Sequence, residues 1–114
     1  ILKPSLLLDL QKVPNIVAKG YPNHGFYNLG YHTRRPPLND PAFRKAIAHV
    51  IPKELIIEAI LSGLADPGGS VIAPANKFWH NPAVKPFPED INKAKKILAD
   101  AGYTWKKGKL HYPA

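Results

Sequence analysis

The sequence has no cysteine, no methionine and only eight acidic residues among its 114 positions. Without cysteine there is neither a disulfide framework nor a thiolate metal site, although this absence does not reveal the redox compartment. No run comes near the ~18 consecutive apolar residues that a membrane-spanning helix needs. No charged segment followed by an apolar run marks a secretory signal. The 45% hydrophobic content is ordinary for one small globular domain or for a piece of a larger one.

Positive charge is the strongest compositional bias of the chain. Sixteen lysine and arginine residues against eight acidic ones give a net charge of +8 and a pI near 9.8. Because phosphate binding needs clustered cations, a small basic nucleic-acid-binding module is the alternative function to consider. Ten of the sixteen basic residues are instead spread over four places, at 34–35, 44–45, 93–96 and 106–109, and the other six lie singly along the chain. We therefore favour a lysine-rich solvated surface and expect no nucleic acid partner.

Two consecutive helices organise the middle of the chain. Asp40 followed by Pro41 is typical of an N-cap and a first helical residue. Apolar residues then recur at helical spacing and predict one apolar face, which consists of Phe43, Ala46, Ile47 and Val50. His49 lies largely outside this face. A second helix is predicted over Pro52–Ser62, with Gly63 suited to the left-handed residue beyond its end.

A third helix and a hairpin are predicted towards the end of the sequence. The helix covers Ile91–Ala101, with Asp90 as its N-cap and Gly102 as its terminator. A short hairpin follows over Tyr103–Tyr112 and turns at 107–108. The three capped helices have more apolar surface than we expect them to bury against one another. They are therefore predicted to pack on a larger body.

The remaining segments predict little regular structure. Residues Ser5–Lys12 suit a short helix, and the aromatic run Phe26–Thr33 suits a strand. Leu64–Pro88 is predicted to be a long irregular connection, anchored by burial of the rings of Phe78 and Trp79. The resulting fold class is α+β, with three amphipathic helices and a few short strands.

No enzymatic motif is present, and neither an enzyme nor a cofactor is predicted. The carboxylates fall mostly at helix caps and exposed positions, and the five histidines lack the short spacing of metal ligands. Tyr27, Tyr31 and Trp79 suit a binding surface, because each ring has an apolar face and a polar tip. Burial of these rings in a core is the alternative interpretation.

Read together, the motifs resemble the family 5 extracellular solute-binding proteins of ABC transporters. The resemblance rests on YNLGYHTRRPPLNDPAFRKAIAHVIPKELIIEAILSG, a proline-rich loop, and NPAVKPFPEDINKAKKILADAGY, in the family's order and spacing. It covers nearly the whole chain from about Leu6. The positions that align with the family pattern are His32, Thr33, Pro36, Pro37, Leu38, Asn39, Asp40, Arg44, Ala46, Ile47, Ile56, Ile57, Asp90, Ala94, Leu98, Ala101, Gly102 and Tyr103. Two positions depart from the family pattern, since Pro52 replaces the usual aspartate and His32 the usual asparagine.

The resemblance implies that the chain is a fragment of a two-lobe, periplasmic-binding-protein-like α/β fold. It implies that residues 1–30 end the first lobe and include the crossing strand, and that residues 31–114 begin the second lobe. Tyr27 and Asn28 are then the best candidates for ligand contact, followed by Leu29. Trp79 is a further candidate, because its ring has an apolar face and a polar tip. No metal-binding residue is expected.

The resemblance also implies a transport function. The implied protein is the solute-binding component of an ABC import system, with a peptide as the favoured solute and the permease subunits as partners. The implied location is periplasmic or extracellular, with membrane association through the full-length protein. Peptide, sugar and nickel-complex receptors share these motifs, so the sequence does not separate them.

Overall fold

The computed structural model describes residues 4–113, which divide into two compact units. The first unit comprises the residues up to Tyr27 together with Pro52–Pro86, and the second comprises Asn28–Ile51 together with the residues from Phe87 onward. The regular elements are helices α1 (Pro4–Leu10), α2 (Pro41–Val50), α3 (Lys53–Leu61) and α4 (Ile91–Asp100) and strands β1 (Thr104–Lys106) and β2 (Lys109–His111).

In the second unit, α2 packs against α4 around a small core. Ala46 of α2 and Ala94 of α4 both belong to the buried cluster, and short side chains at a helix contact allow two helices to approach closely. Leu98 and Tyr103 complete the buried cluster. The Tyr103 ring lies 5.8 Å from the Phe43 ring, centroid to centroid, in a tilted arrangement. Helices α2 and α4 therefore bury part of their apolar surface against each other, while other apolar residues of the three capped helices, such as Leu55, Ile60 and Ile91, stay exposed.

The two caps predicted from sequence start these helices. The Asp40 carboxylate accepts the N–H of Ala42 at 2.8 Å, and the Asp90 carboxylate accepts the N–H of Lys93 at 2.8 Å. Each bond satisfies one of the amide donors that have no partner inside the helix.

Gly102 ends α4 and directs the chain back onto the core. Its φ of +85° is left-handed, where a residue with a Cβ is strained. The N–H of Gly102 donates to Ala99 O at 2.9 Å, and the N–H of Tyr103 donates to Leu98 O at 3.0 Å. This pair of bonds is the Schellman arrangement, which brings the second residue beyond the helix against its last turn. Tyr103 is buried for this reason.

The predicted hairpin forms directly afterwards. Strands β1 and β2 are antiparallel, and Trp105 is paired with Leu110. Lys107 and Gly108 both have positive φ, at +50° and +74°, as a two-residue turn of this handedness requires. The turn predicted at 107–108 is therefore confirmed.

The first unit contains α1, α3 and the irregular segment that follows α3. Ile57 of α3 and Ala73 of this segment are its buried apolar residues. Gly69 lies so close to the backbone of Val84 that a Cβ at this position would clash with it. The ring N–H of His80 donates to the carbonyl oxygen of Ile72 at 2.9 Å. Close backbone approach and side-chain hydrogen bonds therefore order a segment without helix or strand.

Two sequence predictions about aromatic segments are wrong. Phe26–Thr33 forms no strand, and within residues 4–113 the strands are β1 and β2. A strand needs a neighbour for its backbone N–H and C=O groups, and the described residues give this segment none. Phe78 and Trp79 do not bury their rings, but pack edge to face against each other at 4.8 Å while largely exposed.

His49 was expected at the surface but is the most buried polar side chain described, at 1% exposure. Its Nδ1–H donates to Pro88 O at 2.8 Å, and its own carbonyl oxygen accepts the N–H of Asp90 at 2.8 Å. The ring also meets Phe87 edge-on at 5.2 Å. His49 therefore connects the end of α2 to the start of α4, and its satisfied hydrogen bond makes burial of the ring tolerable.

One hydrogen bond, between Tyr103 and Asp40, shifts the pKa values of both its partners. The Tyr103 hydroxyl donates to the second Asp40 oxygen at 2.8 Å, across 63 positions of sequence. This bond, followed by that from the Ala42 amide, lowers the pKa of Asp40 below its usual 3.8. Burial, followed by the Asp40 contact, raises the pKa of Tyr103 to about 12.

Removal of the His49 side chain should destabilise the protein. We expect His49→Ala to lower the free energy of unfolding by roughly 2–4 kcal/mol, because it leaves a cavity and an unpaired Pro88 carbonyl. His24→Ala, at an exposed histidine, is the matched control and should change the stability little. Urea unfolding of both variants tests this, and equal small effects would contradict a structural role for His49.

The pair Asp40 and Tyr103 should make stability depend on pH at both extremes. Below the ordinary Asp value of 3.8, the unfolded state takes up a proton first, so stability falls as the pH drops through the lowered pKa of folded Asp40. Above the ordinary tyrosine value of 10.0, the unfolded state loses its proton first, so stability falls as the pH rises through the Tyr103 pKa of about 12.

The measurement is the difference in unfolding free energy between the unmodified protein and Tyr103→Phe as a function of pH. This difference should be largest on the plateau between the two windows and shrink in both of them. Tyr21→Phe removes a hydroxyl from an exposed ring and should have little effect on the plateau. A difference that stays constant through both windows would show that the bond shifts the pKa of neither partner.

Candidate functional site

The four residues predicted to contact ligand are all exposed. Tyr27 is 89% exposed, Trp79 67% and Leu29 57%, and Asn28 is also exposed. Tyr27 and Trp79 belong to the first unit, whereas Asn28 and Leu29 belong to the second.

In the first unit, Trp79 lies in a short turn of the irregular segment. Its backbone N–H donates to the Asn76 side-chain oxygen at 3.3 Å, and its ring contacts Phe78. The described residues place no aromatic ring against Tyr27, which presents nearly all of its side chain. Both residues offer the flat apolar face and polar tip that suit a ligand, and the alternative of core burial is excluded for them in the described residues.

In the second unit, Asn28 and Leu29 begin a segment that is held at its far end by α2. The guanidinium of Arg44 donates to Leu38 O at 2.7 Å, and the N–H of Asp40 donates to Pro37 O at 3.1 Å. Arg44 also lies close enough to Asp40 to add to the lowering of its pKa. Asp40 thus anchors both α2 and the end of the segment that carries the two candidate residues.

Sequence reasoning missed the side chains that fix this anchor. The sequence places Tyr103 at the start of the predicted hairpin and among the positions that match the family, and nothing in the local pattern indicates that its hydroxyl meets Asp40. The signal that was available is the glycine itself, because a left-handed residue there turns the next side chain back onto the helix. His49 had a weaker signal, its spacing of three residues from buried Ala46.

The chemical groups at the candidate site suit binding of a solute through packing and hydrogen bonds. Residues 4–113 contain no group of three or more histidine, aspartate or glutamate side chains placed to hold a metal ion. Their helices are all too short or too polar to cross a membrane. The candidate residues supply exposed rings, one amide and one apolar side chain, which are groups that contact a solute through packing and hydrogen bonds.

A family model matches almost the entire chain. Residues 1–112 match the middle part of the bacterial extracellular solute-binding proteins, family 5.

Curated relatives agree with this match. The glutathione-binding protein GsiB of Shigella flexneri is 27% identical over 94 residues, which is 82% of this chain and 18% of that protein. Heme-binding protein A of Haemophilus influenzae is 30% identical over 76 residues, covering 66% of this chain and 14% of that protein.

Two solved structures are also similar. An oligopeptide-binding protein of Thermus thermophilus, complexed with a pentapeptide, aligns with a TM-score of 0.53 at 31% identity, over 65% of this chain and 14% of that one. NikA from Brucella suis, in complex with Fe(III)-EDTA, aligns with a TM-score of 0.61 at 25% identity, over 92% of this chain and 21% of that one. The chain thus spans about a fifth or less of the length of these relatives. The match over residues 1–112 shows that the chain belongs to the family 5 bacterial extracellular solute-binding proteins.

Proposed function

We propose that this chain is a segment of the solute-binding receptor of an ABC import system, and that the solute is a peptide. The family match over residues 1–112 is the observation that carries the transport function. The proposed protein is not an enzyme and needs no cofactor. Its partners are the permease subunits, and its location is periplasmic or extracellular.

The names of the relatives favour a peptide over other solutes. One curated relative is a glutathione-binding protein, and glutathione is itself a short peptide. One structural relative was solved with a pentapeptide. Heme and Fe(III)-EDTA in two other names are the competing classes. A peptide offers amide groups for hydrogen bonds and side chains for packing, and the candidate residues supply an exposed amide and exposed aromatic rings.

In the proposed mechanism, two lobes close around the solute and present the closed form to the permease. Residues 1–30 end the first lobe, and residues 31–114 begin the second. The change of compact unit between Tyr27 and Asn28 supports a crossing near this boundary, although Pro52–Pro86 rejoins the first unit. The solute shifts the equilibrium towards closure by its higher affinity for the closed state.

The proposed solute contacts come from Tyr27, Asn28, Leu29 and Trp79. The rings of Tyr27 and Trp79 pack on apolar parts of the peptide, and Asn28 both donates to and accepts from its amides. Leu29 adds an apolar contact. Their exposure supports this assignment, because residues that close on a solute are accessible before it binds.

A ligand screen with the full-length gene product tests the function. Thermal-shift measurements against short peptides, glutathione, oligosaccharides, heme and a nickel chelate should show stabilisation by one or more peptides. A peptide present at 100 times its Kd should add about 2.7 kcal/mol to the unfolding free energy. Stabilisation by a non-peptide solute alone would contradict the peptide assignment, and stabilisation by none of these classes would contradict the receptor function.

Substitutions at the proposed contacts test the site with the solute found in the screen. Tyr27→Ala and Trp79→Ala should each weaken binding by about tenfold or more, measured as Kd by calorimetry. Tyr21→Ala, which truncates another exposed tyrosine of the first unit, is the matched control and should leave Kd unchanged. Equal affinities for all three variants would show that these residues do not touch the solute.

A further inference from the structure

The second unit is interrupted along the chain by a long segment that belongs to the first. The chain leaves the second unit after Ile51 and returns to it at Phe87, and Pro52–Pro86 between them is part of the first unit. We call Pro52–Pro86 the inserted segment. It departs at the end of α2 and returns just before α4.

His49 joins the two sides of this interruption. Its Nδ1–H donates to Pro88 O at 2.8 Å, between residues 39 positions apart in sequence. The carbonyl oxygen of His49 accepts the N–H of Asp90 at 2.8 Å, and the ring meets Phe87 edge-on at 5.2 Å. Three contacts of one residue, which is 1% exposed, therefore hold the point of departure beside the point of return.

The pairing of α2 with α4 has further support away from His49. Asp40, at the start of α2, accepts the Tyr103 hydroxyl. Ala46 and Ala94 belong to the buried cluster of the two helices. His49 acts at the opposite end of α2, where the chain leaves the unit. Its contacts therefore fix the ends of the inserted segment in addition to supporting the helix pair.

Proline stiffens both attachments of the inserted segment. Ile51 keeps an extended backbone, with φ of −76° and ψ of 116°, as a residue before proline does. Pro52 follows it, and Pro86 and Pro88 flank the residue at which the chain returns. Because the proline ring fixes φ, few torsions at either end are free to absorb a displacement. A shift at the fastened ends should therefore reach the nearby residues of the segment.

Trp79 is the candidate contact residue on the inserted segment, and a hydrogen-bonded turn lies between it and the second end. The Asn81 side-chain oxygen accepts the N–H of Ala83 at 2.9 Å, and the Asn81 carbonyl oxygen accepts the N–H of Val84 at 3.2 Å. Val84 lies just before the end of the segment at Pro86. A short, ordered stretch thus connects Trp79 to the attachment that His49 holds.

From these contacts we propose that His49 is a positioning residue of the solute site, which fastens both ends of the inserted segment and so fixes the place of Trp79. The part that concerns Trp79 rests on the proposed function, whereas the fastening does not. A loop whose ends are already held together loses less conformational entropy when it becomes ordered. The bonds of His49 therefore stabilise the inserted segment as well as the second unit.

Spin labels at the two ends of the inserted segment test the fastening in the full-length protein. Cysteines introduced at the exposed positions Glu54 and Lys85 carry the labels, and electron paramagnetic resonance gives the distribution of distances between them. We expect a narrow distribution with His49 present and a broad one in His49→Leu, which has no donor. His49→Asn should restore the narrow distribution, because its amide nitrogen lies close to the position of Nδ1. His49→Gln, whose amide extends beyond that position, is a second disrupting variant that keeps the test decidable if His49→Leu does not fold.

The matched control is His80→Leu. It removes the same kind of bond, from a ring N–H to Ile72 O at 2.9 Å, but within the inserted segment. The distance between the two labels should therefore stay narrow. A narrow distribution in every variant, equal broadening by His49→Leu and His80→Leu, or a lack of rescue by His49→Asn would overturn the fastening role.

Affinity for the solute found in the ligand screen tests the positioning role. His49→Leu should raise Kd by about tenfold, and His49→Asn should change it little. In a Trp79→Ala background the effect of His49→Leu should largely disappear, because the displaced ring is already absent. Broadened label distances with an unchanged Kd, or an effect of His49→Leu that persists without Trp79, would overturn the positioning of Trp79. A screen that finds no solute contradicts the proposed function, while the label distances still decide whether His49 fastens the segment.

Discussion

A single carboxylate, that of Asp40, joins the start of α2 to the residue that follows the end of α4 in the second unit. One of its oxygens caps α2 through the Ala42 amide, and the other accepts the Tyr103 hydroxyl. Hydrogen bonds to a charged acceptor are stronger than neutral ones, and this one is partly withdrawn from water. The start of α2, the end of α4 and the base of the hairpin therefore meet at one point. The segment that begins at Asn28 ends there too.

The features that sequence predicted are those with a local physical cause. Asp40 and Asp90 cap the helices that follow them, and Gly102 and the turn at 107–108 adopt the left-handed conformations that only a few residues accept. Each of these signals lies within a few residues of its effect. For this reason the sequence alone predicts where α2, α4 and the hairpin begin and end.

The features that sequence missed depend on contacts between distant residues. His49 is polar, so the helical pattern placed it outside the apolar stripe, yet its hydrogen bond to Pro88 allows the ring to be buried. The aromatic run Phe26–Thr33 has strand propensity but no partner strand within residues 4–113. The assignment of Tyr27 and Asn28 to ligand contact came from the family resemblance, since exposure alone does not distinguish a binding residue from a solvated one.

The direct test of the central role of Asp40 is a double-mutant cycle with Tyr103. Asp40→Ser keeps a helix-capping oxygen but does not reach the tyrosine hydroxyl, and Tyr103→Phe removes that hydroxyl while keeping the ring. From urea unfolding of the two single variants and the double variant, we predict a coupling free energy of about 1–3 kcal/mol. Additive effects, with a coupling below about 0.5 kcal/mol, would contradict the claim that this bond organises the second unit.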